Sequence, residues 1–152
     1  MTSSLCGERT GGITITANMK IITGGVPHRK AGLVIRKDLQ PGSVYTDAVV
    51  HGSGLTALQW REKLDDVTRT IHFPVDGPTR LRLERRRNVV TLYASKEGGA
   101  LTEMGNTEVA PFSPMYAGLA VCAHDDAAET TAVFSHVTVE VLQPSGPTSN
   151  KK

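Results

Sequence analysis

Short runs in which apolar and polar residues alternate occupy most of this chain, and this alternation is the feature that most limits its fold. The run at residues 79–86 is a clear example, because Leu81 and Leu83 are each flanked by polar residues. A period of two places successive side chains on opposite faces of a strand, whereas a helix needs apolar residues three and four apart. The pattern therefore predicts an all-β, antiparallel protein.

Nine such runs follow one another, and glycine, proline, asparagine or aspartate residues separate most of them. They cover residues 12–22, 30–39, 44–52, 55–63, 68–75, 79–86, 89–95, 115–124 and 131–142. Many short strands without helices are typical of a sandwich or barrel. We expect one sandwich domain over residues 1–142. Residues 143–152 are polar with two prolines, which predicts a flexible tail.

Five arginines among residues 80–87 raise the question of nucleic-acid binding. The pair Arg87-Asn88 separates two strand-like runs as a tight turn would, which favours a hairpin with a basic solvent face. The net charge is only +2, from 17 basic and 15 acidic side chains. Dedicated nucleic-acid domains usually carry a larger, clustered excess. We therefore expect no nucleic-acid partner, with contact to another polyanion left open.

Membrane insertion and a disulfide framework are both excluded by the composition. No apolar run approaches the roughly 20 residues that span a bilayer, and no basic segment followed by an apolar stretch marks a signal peptide. Two cysteines are too few for a disulfide scaffold. Cys122 lies in the apolar run GLAVCAH, which predicts a buried thiol. Pairing of Cys6 with Cys122 and the oligomeric state are left open.

The series HRKAGLVIRKDL, YTDAVVHGSGLTALQWRE, RLRLERRRNVVTLYAS, PMYAGLAVCAHDD and TAVFSHVTV resembles a concanavalin A-like β-sandwich of jelly-roll type. The resemblance covers about residues 11–141. It is closest to the regulation-of-enolase-like domains appended to Tol-type β-propeller proteins and to bacterial secreted carbohydrate-active enzymes. It implies a soluble accessory domain in a periplasmic or secreted setting, with a cytoplasmic one left open. Similar domains have further strands before the first run, which this chain is expected to lack or to replace.

Parity along three runs defines a candidate binding face. If Leu33, Ala48 and Leu58 point to the core, as Trp60 then does too, the polar side chains of these runs share the opposite face. They are Arg36, Asp47, His51, Gln59 and Arg61. The resemblance implies that glycans lie across one sheet, so we expect these residues to bind carbohydrate. The alternative is a solvated face on which Asp47 pairs with a neighbouring arginine.

A metal site and an active site are weaker candidates. His124, Asp125 and Asp126 enter a loop and could ligate calcium, or Asp125 and Asp126 could cap backbone N–H groups instead. No run carries the closely spaced acids that the resemblance implies for catalytic glucanases. The predicted function is therefore a non-catalytic carbohydrate-binding module without a cofactor. The alternatives are a glycoside-hydrolase-like enzyme and an interaction domain that docks on a β-propeller.

Overall fold

The computed structural model describes residues 2–3, 11–23, 26–96 and 98–143, and these residues form eleven strands and no helix. The strands are β1 Thr2–Ser3, β2 Ile13–Thr23, β3 Lys30–Arg36, β4 Tyr45–His51, β5 Leu55–Arg61, β6 Arg69–Asp76, β7 Arg80–Arg86, β8 Val89–Ser95, β9 Thr102–Glu108, β10 Tyr116–Cys122 and β11 Thr131–Val141. The all-β prediction is confirmed, and each of the nine runs contains one strand. In the described part of the chain, no helix could cross a membrane.

The strands form two antiparallel sheets that pack face to face. Sheet A has the order β1-β10-β3-β4-β5-β6, and sheet B has the order β11-β2-β7-β8-β9. Hairpins connect β3 through β6 in one sheet and β7 through β9 in the other, while β10 and β11 return beside β3 and β2. The predicted antiparallel sandwich is therefore confirmed. Its central strands β3, β4 and β5 carry the candidate binding face.

The core lies between the sheets and follows the predicted parity. Leu33, Ala48 and Leu58 of sheet A have no exposed surface, and neither do Leu81 and Leu83 of sheet B. The predicted core position of Trp60 is confirmed, because only 8% of this residue is exposed. Burying such side chains stabilises the fold by about 1.5–3 kcal/mol each. We call the face of each sheet that points away from the core its outer face.

The arginine-rich run forms the predicted hairpin. Arg86 pairs with Val89 across a two-residue turn, in which Arg87 has a φ of 55°. Arg85 departs from the expected basic solvent face, because it shares the parity of Leu83 and is only 1% exposed. Its Nη2 donates to the carbonyls of Val109 and Ala110, at 3.0 and 2.8 Å. Burial lowers its pKa to about 10. Arg85 thus ties the inner side of β7 to the segment that follows β9.

The prediction of a buried thiol at Cys122 is wrong, because this residue is exposed. Cys122 is the last residue of β10 and pairs in register with Lys30. Its parity is that of Ala120, so its side chain belongs to the outer face of sheet A rather than to the core. An apolar stretch of sequence does not show which of its residues lie at an exposed strand end. Cys6 and the tail beyond residue 143 lie outside the described residues.

Candidate functional site

Strand register places all five predicted site residues on the outer face of sheet A. Arg36, Tyr45 and Arg61 form one row across three strands, and Asp47 and Gln59 lie in the next row. His51 lies two rows further on, opposite Lys30. Side chains in one row of an antiparallel sheet are neighbours, about 4.5–5.5 Å apart at Cβ. The five residues therefore lie on one continuous face, although they do not all line the same cleft.

A cleft of about 470 Å³ opens on this face, and we call it the trough. Its lining residues are Lys30, Val34, Arg36, Leu39, Pro41, Tyr45, Asp47, Val49, Arg61, Leu119, Ala120, Val121 and Cys122. Three of the five predicted residues are among them. Across β10, β3, β4 and β5, the row between Asp47 and His51 consists of the small residues Ala120, Gly32, Val49 and Ala57, and it ends at His72 on β6. Small side chains between rows of long polar ones produce a groove that crosses the strands.

Arg36, Tyr45 and Arg61 form a stacked wall at one side of the trough. The guanidinium carbons of Arg36 and Arg61 lie 5.9 and 5.1 Å from the ring centroid of Tyr45. Arg61 also donates to the carbonyls of Pro41, Ser43 and Asp66, at 3.0, 3.3 and 2.9 Å. Arg36 similarly donates to the carbonyls of Asp38 and Gln40. Both arginines therefore hold the loops beside the trough as well as contributing positive charge to it.

Asp47 is a carboxyl group buried on the side of the trough nearest this wall. Only 7% of the residue is exposed, and its Oδ1 has no hydrogen-bond partner among the described residues. Burial raises the pKa of Asp47 to about 7, although the charges of Lys30 and Arg36 act to lower it. The ion pair of Asp47 with Arg36 or Arg61, which belongs to the alternative of a solvated face, does not occur in the described part of the chain. Asp47 is thus a buried acid with an unused acceptor.

Lys30 spans the trough from the opposite side. Its Nζ donates to the Oε1 of Gln59 at 2.9 Å, and the Nε2 of Gln59 donates to the Oγ1 of Thr70 at 3.2 Å. Because Lys30 and Gln59 belong to rows on either side of Val49, the lysine side chain passes above the floor. Lys30 was absent from the predicted site. Its parity with Arg36 on the same strand is the signal that could have identified it.

His51 lies outside the lining of the trough, next to a second imidazole. The rings of His51 and His72 are 6.4 Å apart in an edge-to-face arrangement. Burial lowers the pKa of His51, and the nearby charges of Lys30, His72, His28 and His124 lower it further. Its Nε2 is buried without a described partner. The basic residues therefore continue beyond the trough at the end of β4.

The proposed calcium ligands do not assemble in the described residues, where no group of three or more metal-ligating side chains occurs. Asp125 instead accepts a hydrogen bond from the N–H of Ala127 at Oδ1, at 2.9 Å. Its carbonyl accepts from the N–H of Ala128 at 3.1 Å. His124 and Asp126 are exposed beside it. This arrangement agrees with the alternative in which aspartate orders the loop.

No family model and no curated protein sequence matches the chain. Solved structures do match its fold. A protein of unknown function from Saccharomyces cerevisiae matches with a TM-score of 0.70 and 13% identity, over 94% of this chain and 74% of its own. The carbohydrate-binding module CBM66 of Bacillus subtilis matches with a TM-score of 0.59 and 16% identity, over 86% and 76% of the two chains. An alginate lyase of Pseudomonas aeruginosa matches with a TM-score of 0.60 and 16% identity, over 88% and 66%.

These neighbours share one architecture. The chain has a concanavalin A-like sandwich fold. At such low identity the likeness shows the fold alone, and the closer resemblance to regulation-of-enolase-like domains stays a prediction. Within this sandwich, the trough is a described cleft that gathers three of the predicted site residues.

Proposed function

We propose that this chain is a carbohydrate-binding module that holds a glycan in the trough of sheet A. The observation that supports the proposal is a groove with a small-residue floor and polar walls, in which Asp47 has an unused acceptor. Buried polar groups normally have a hydrogen-bond partner, so an unpartnered one beside a groove is suited to a hydroxyl-bearing ligand. A structural neighbour that is itself named a carbohydrate-binding module agrees with this function.

The number of carboxyl groups in the trough disfavours the alternative of a glycoside-hydrolase-like enzyme. Glycoside hydrolysis generally uses two carboxyl groups on either side of the scissile bond. Among the described residues that line the trough, Asp47 is the one carboxylate. A binding module without catalysis is therefore the better supported function.

Filling the trough tests this function directly. Ala120 lies in the floor row and lines the trough, so Ala120→Trp should weaken binding of any glycan that occupies the trough by roughly tenfold or more. Isothermal titration against a panel of soluble polysaccharides measures the loss. Ala100→Trp is a matched control, because Ala100 is an exposed loop residue between two strands of sheet B. Thermal melts show whether both variants fold. If no polysaccharide binds the parent, or if Ala120→Trp binds as well as the parent, the proposal is wrong.

A docking domain is the second candidate, and an exposed edge supports it. Strand β11 lies at the edge of sheet B, and its Val133, Val137 and Val141 are 48%, 43% and 43% exposed. Apolar side chains along a sheet edge are suited to a protein partner. The resemblance implies a β-propeller as that partner. Absence of glycan binding, combined with capture of a β-propeller that Val137→Lys abolishes, would favour this function.

A further inference from the structure

The charges that line the trough are unequal. Lys30, Arg36 and Arg61 line it as cations, and Asp47 is the one carboxylate among its described lining residues. Because burial raises the pKa of Asp47 to about 7, this carboxyl is partly protonated at neutral pH. The trough therefore carries a net positive charge of more than two at neutral pH, which low-dielectric walls make effective over its length.

Lys30 is the cation best placed to meet a ligand. Arg36 and Arg61 are held by several backbone carbonyls, whereas the described partner of Lys30 is the neutral amide oxygen of Gln59. An ammonium group paired with an amide retains most of its attraction for an anion. A ligand carboxylate or sulfate above Val49 could replace Gln59 as the acceptor. Gln59 would keep its own hydrogen bond to Thr70.

Further titratable groups lie at the His51 end of the trough. The groups whose charges act on His51 are Lys30 and the imidazoles of His72, His28 and His124, and each of them lowers its pKa. These imidazoles come from β6 and from the segments before β3 and after β10. Of the acids near these groups in register or in sequence, Asp76 ends β6 opposite Leu55, and Asp125 and Asp126 follow His124. Around Asp47, the charged groups are Lys30 and Arg36, with Tyr45 and Arg61 in the adjoining row.

We propose that the trough is selective for anionic glycans, whose sugar units carry carboxylate or sulfate groups, with Lys30 as the residue that determines this selectivity. The inference rests on the proposed function, since it names the ligand class of the same site. It also implies a direction with pH. Protonation of Asp47 removes the one negative charge among the described lining residues, so binding should strengthen as the pH falls from 8 to 5.5.

The test compares pairs of polymers that share a backbone and differ in charge. Polygalacturonate and its methyl ester share one backbone, and dextran sulfate and dextran form a second pair that separates sulfate from carboxylate. We expect titration calorimetry to give at least one acidic polymer roughly tenfold higher affinity than its neutral partner. Lys30→Gln should reduce that affinity by roughly tenfold. Lys20→Gln makes the same change at an exposed position on sheet B and should leave the affinity unchanged.

The outcomes separate the two proposals. Equal binding of an acidic polymer and its neutral partner would overturn anionic selectivity and leave a carbohydrate-binding module in place. Binding of neither polymer in a pair, together with none from the neutral panel, would overturn the proposed function and this inference with it. Equal losses in Lys30→Gln and Lys20→Gln would indicate general attraction of polyanions and would also overturn the site. Asp47→Asn should weaken the pH dependence, and an unchanged dependence would contradict the assigned role of Asp47.

Discussion

The outer faces of the two sheets carry similar polar residues but form different surfaces. On sheet B, Arg82 donates through Nε to the Oγ1 of Thr16 at 3.0 Å and lies 5.8 Å from the ring centroid of Tyr93. Glu84 and Arg86 form an ion pair of 3.2 Å. Each of these groups has a partner on its own face. The charged groups at the centre of the outer face of sheet B are therefore partnered on that face.

The centres of both outer faces are buried, since Thr14, Thr16 and Thr91 of sheet B are 5%, 2% and 7% exposed, and sheet A differs in what its buried centre contains. Val49 is 1% exposed and Asp47 is 7% exposed, although both point away from the core. Loop residues Leu39 and Pro41 contribute to the enclosure of the trough, and Lys30 passes above its floor. Asp47 retains an unused acceptor there. The comparison shows that polarity alone does not mark a binding face; on sheet A the distinguishing feature is a buried, unpartnered polar group in the lining of a cleft.

The largest expected effect is that of replacing Asp47. Its folded-state pKa of about 7 lies above the ordinary value of 3.8, so ionisation opposes folding. The cost is absent below about pH 4, grows as the pH rises and is complete above about pH 7, where it reaches about 4 kcal/mol at most. Asp47→Asn should therefore raise the free energy of unfolding at pH 8 and change it little at pH 4. Urea titrations at both pH values measure the difference.

Glu84→Gln is the matched control on the outer face of sheet B. Glu84 has a described partner at the surface, so its neutralisation should change stability by less than about 1 kcal/mol at either pH. If the two variants show the same pH profile, the contrast between the faces fails. The difference in free energy of unfolding between the parent and Asp47→Asn should change between pH 5 and pH 8. An unchanged difference would show that the carboxyl is not buried as described.

Much of this architecture follows from local pattern, whereas the depth of the trough does not. Parity assigned Trp60 to the core and Arg36 to the outer face, because the face of a strand residue depends on its position alone. Parity does not report what covers a face. Val49 shares the trough with Lys30 and with loop residues, whose positions result from long-range packing. Cys122 was misassigned for the same reason, since an apolar neighbourhood in sequence is not burial in space.

The arginine–tyrosine pairs of the two sheets give the next comparison, for which we expect an intermediate loss of stability. Arg61 lies by Tyr45 on sheet A, and Arg82 lies by Tyr93 on sheet B. Arg61→Ala removes three hydrogen bonds to loop carbonyls and should cost roughly 1–3 kcal/mol. Arg82→Ala removes one hydrogen bond to Thr16 and should cost about 1 kcal/mol or less. Denaturant titrations of both variants measure the two costs.

Hydrogen exchange tests whether Arg61→Ala costs more stability than Arg82→Ala because Arg61 holds the loops beside the trough. Arg61→Ala should speed amide exchange at Ser43 and Asp65, because Arg61 binds the loop that contains Ser43 and the N–H of Asp65 donates to Gly42 of that loop. Arg82→Ala should leave exchange at both amides unchanged. Equal stability losses with unchanged exchange in both variants would mean that Arg61 does not hold the loops.

The smallest expected effect is at the ion pair of sheet B. Arg86 is 54% exposed at its side chain and Glu84 is 18% exposed, so water and salt screen their attraction. A double-mutant cycle with Glu84→Gln and Arg86→Gln should give a coupling energy of about 0.5 kcal/mol or less, decreasing further at high salt. A coupling above about 1.5 kcal/mol would mean that this face stabilises the fold through its charges. The outer faces of the two sheets would then differ in whether their charged groups stabilise the fold through a partner.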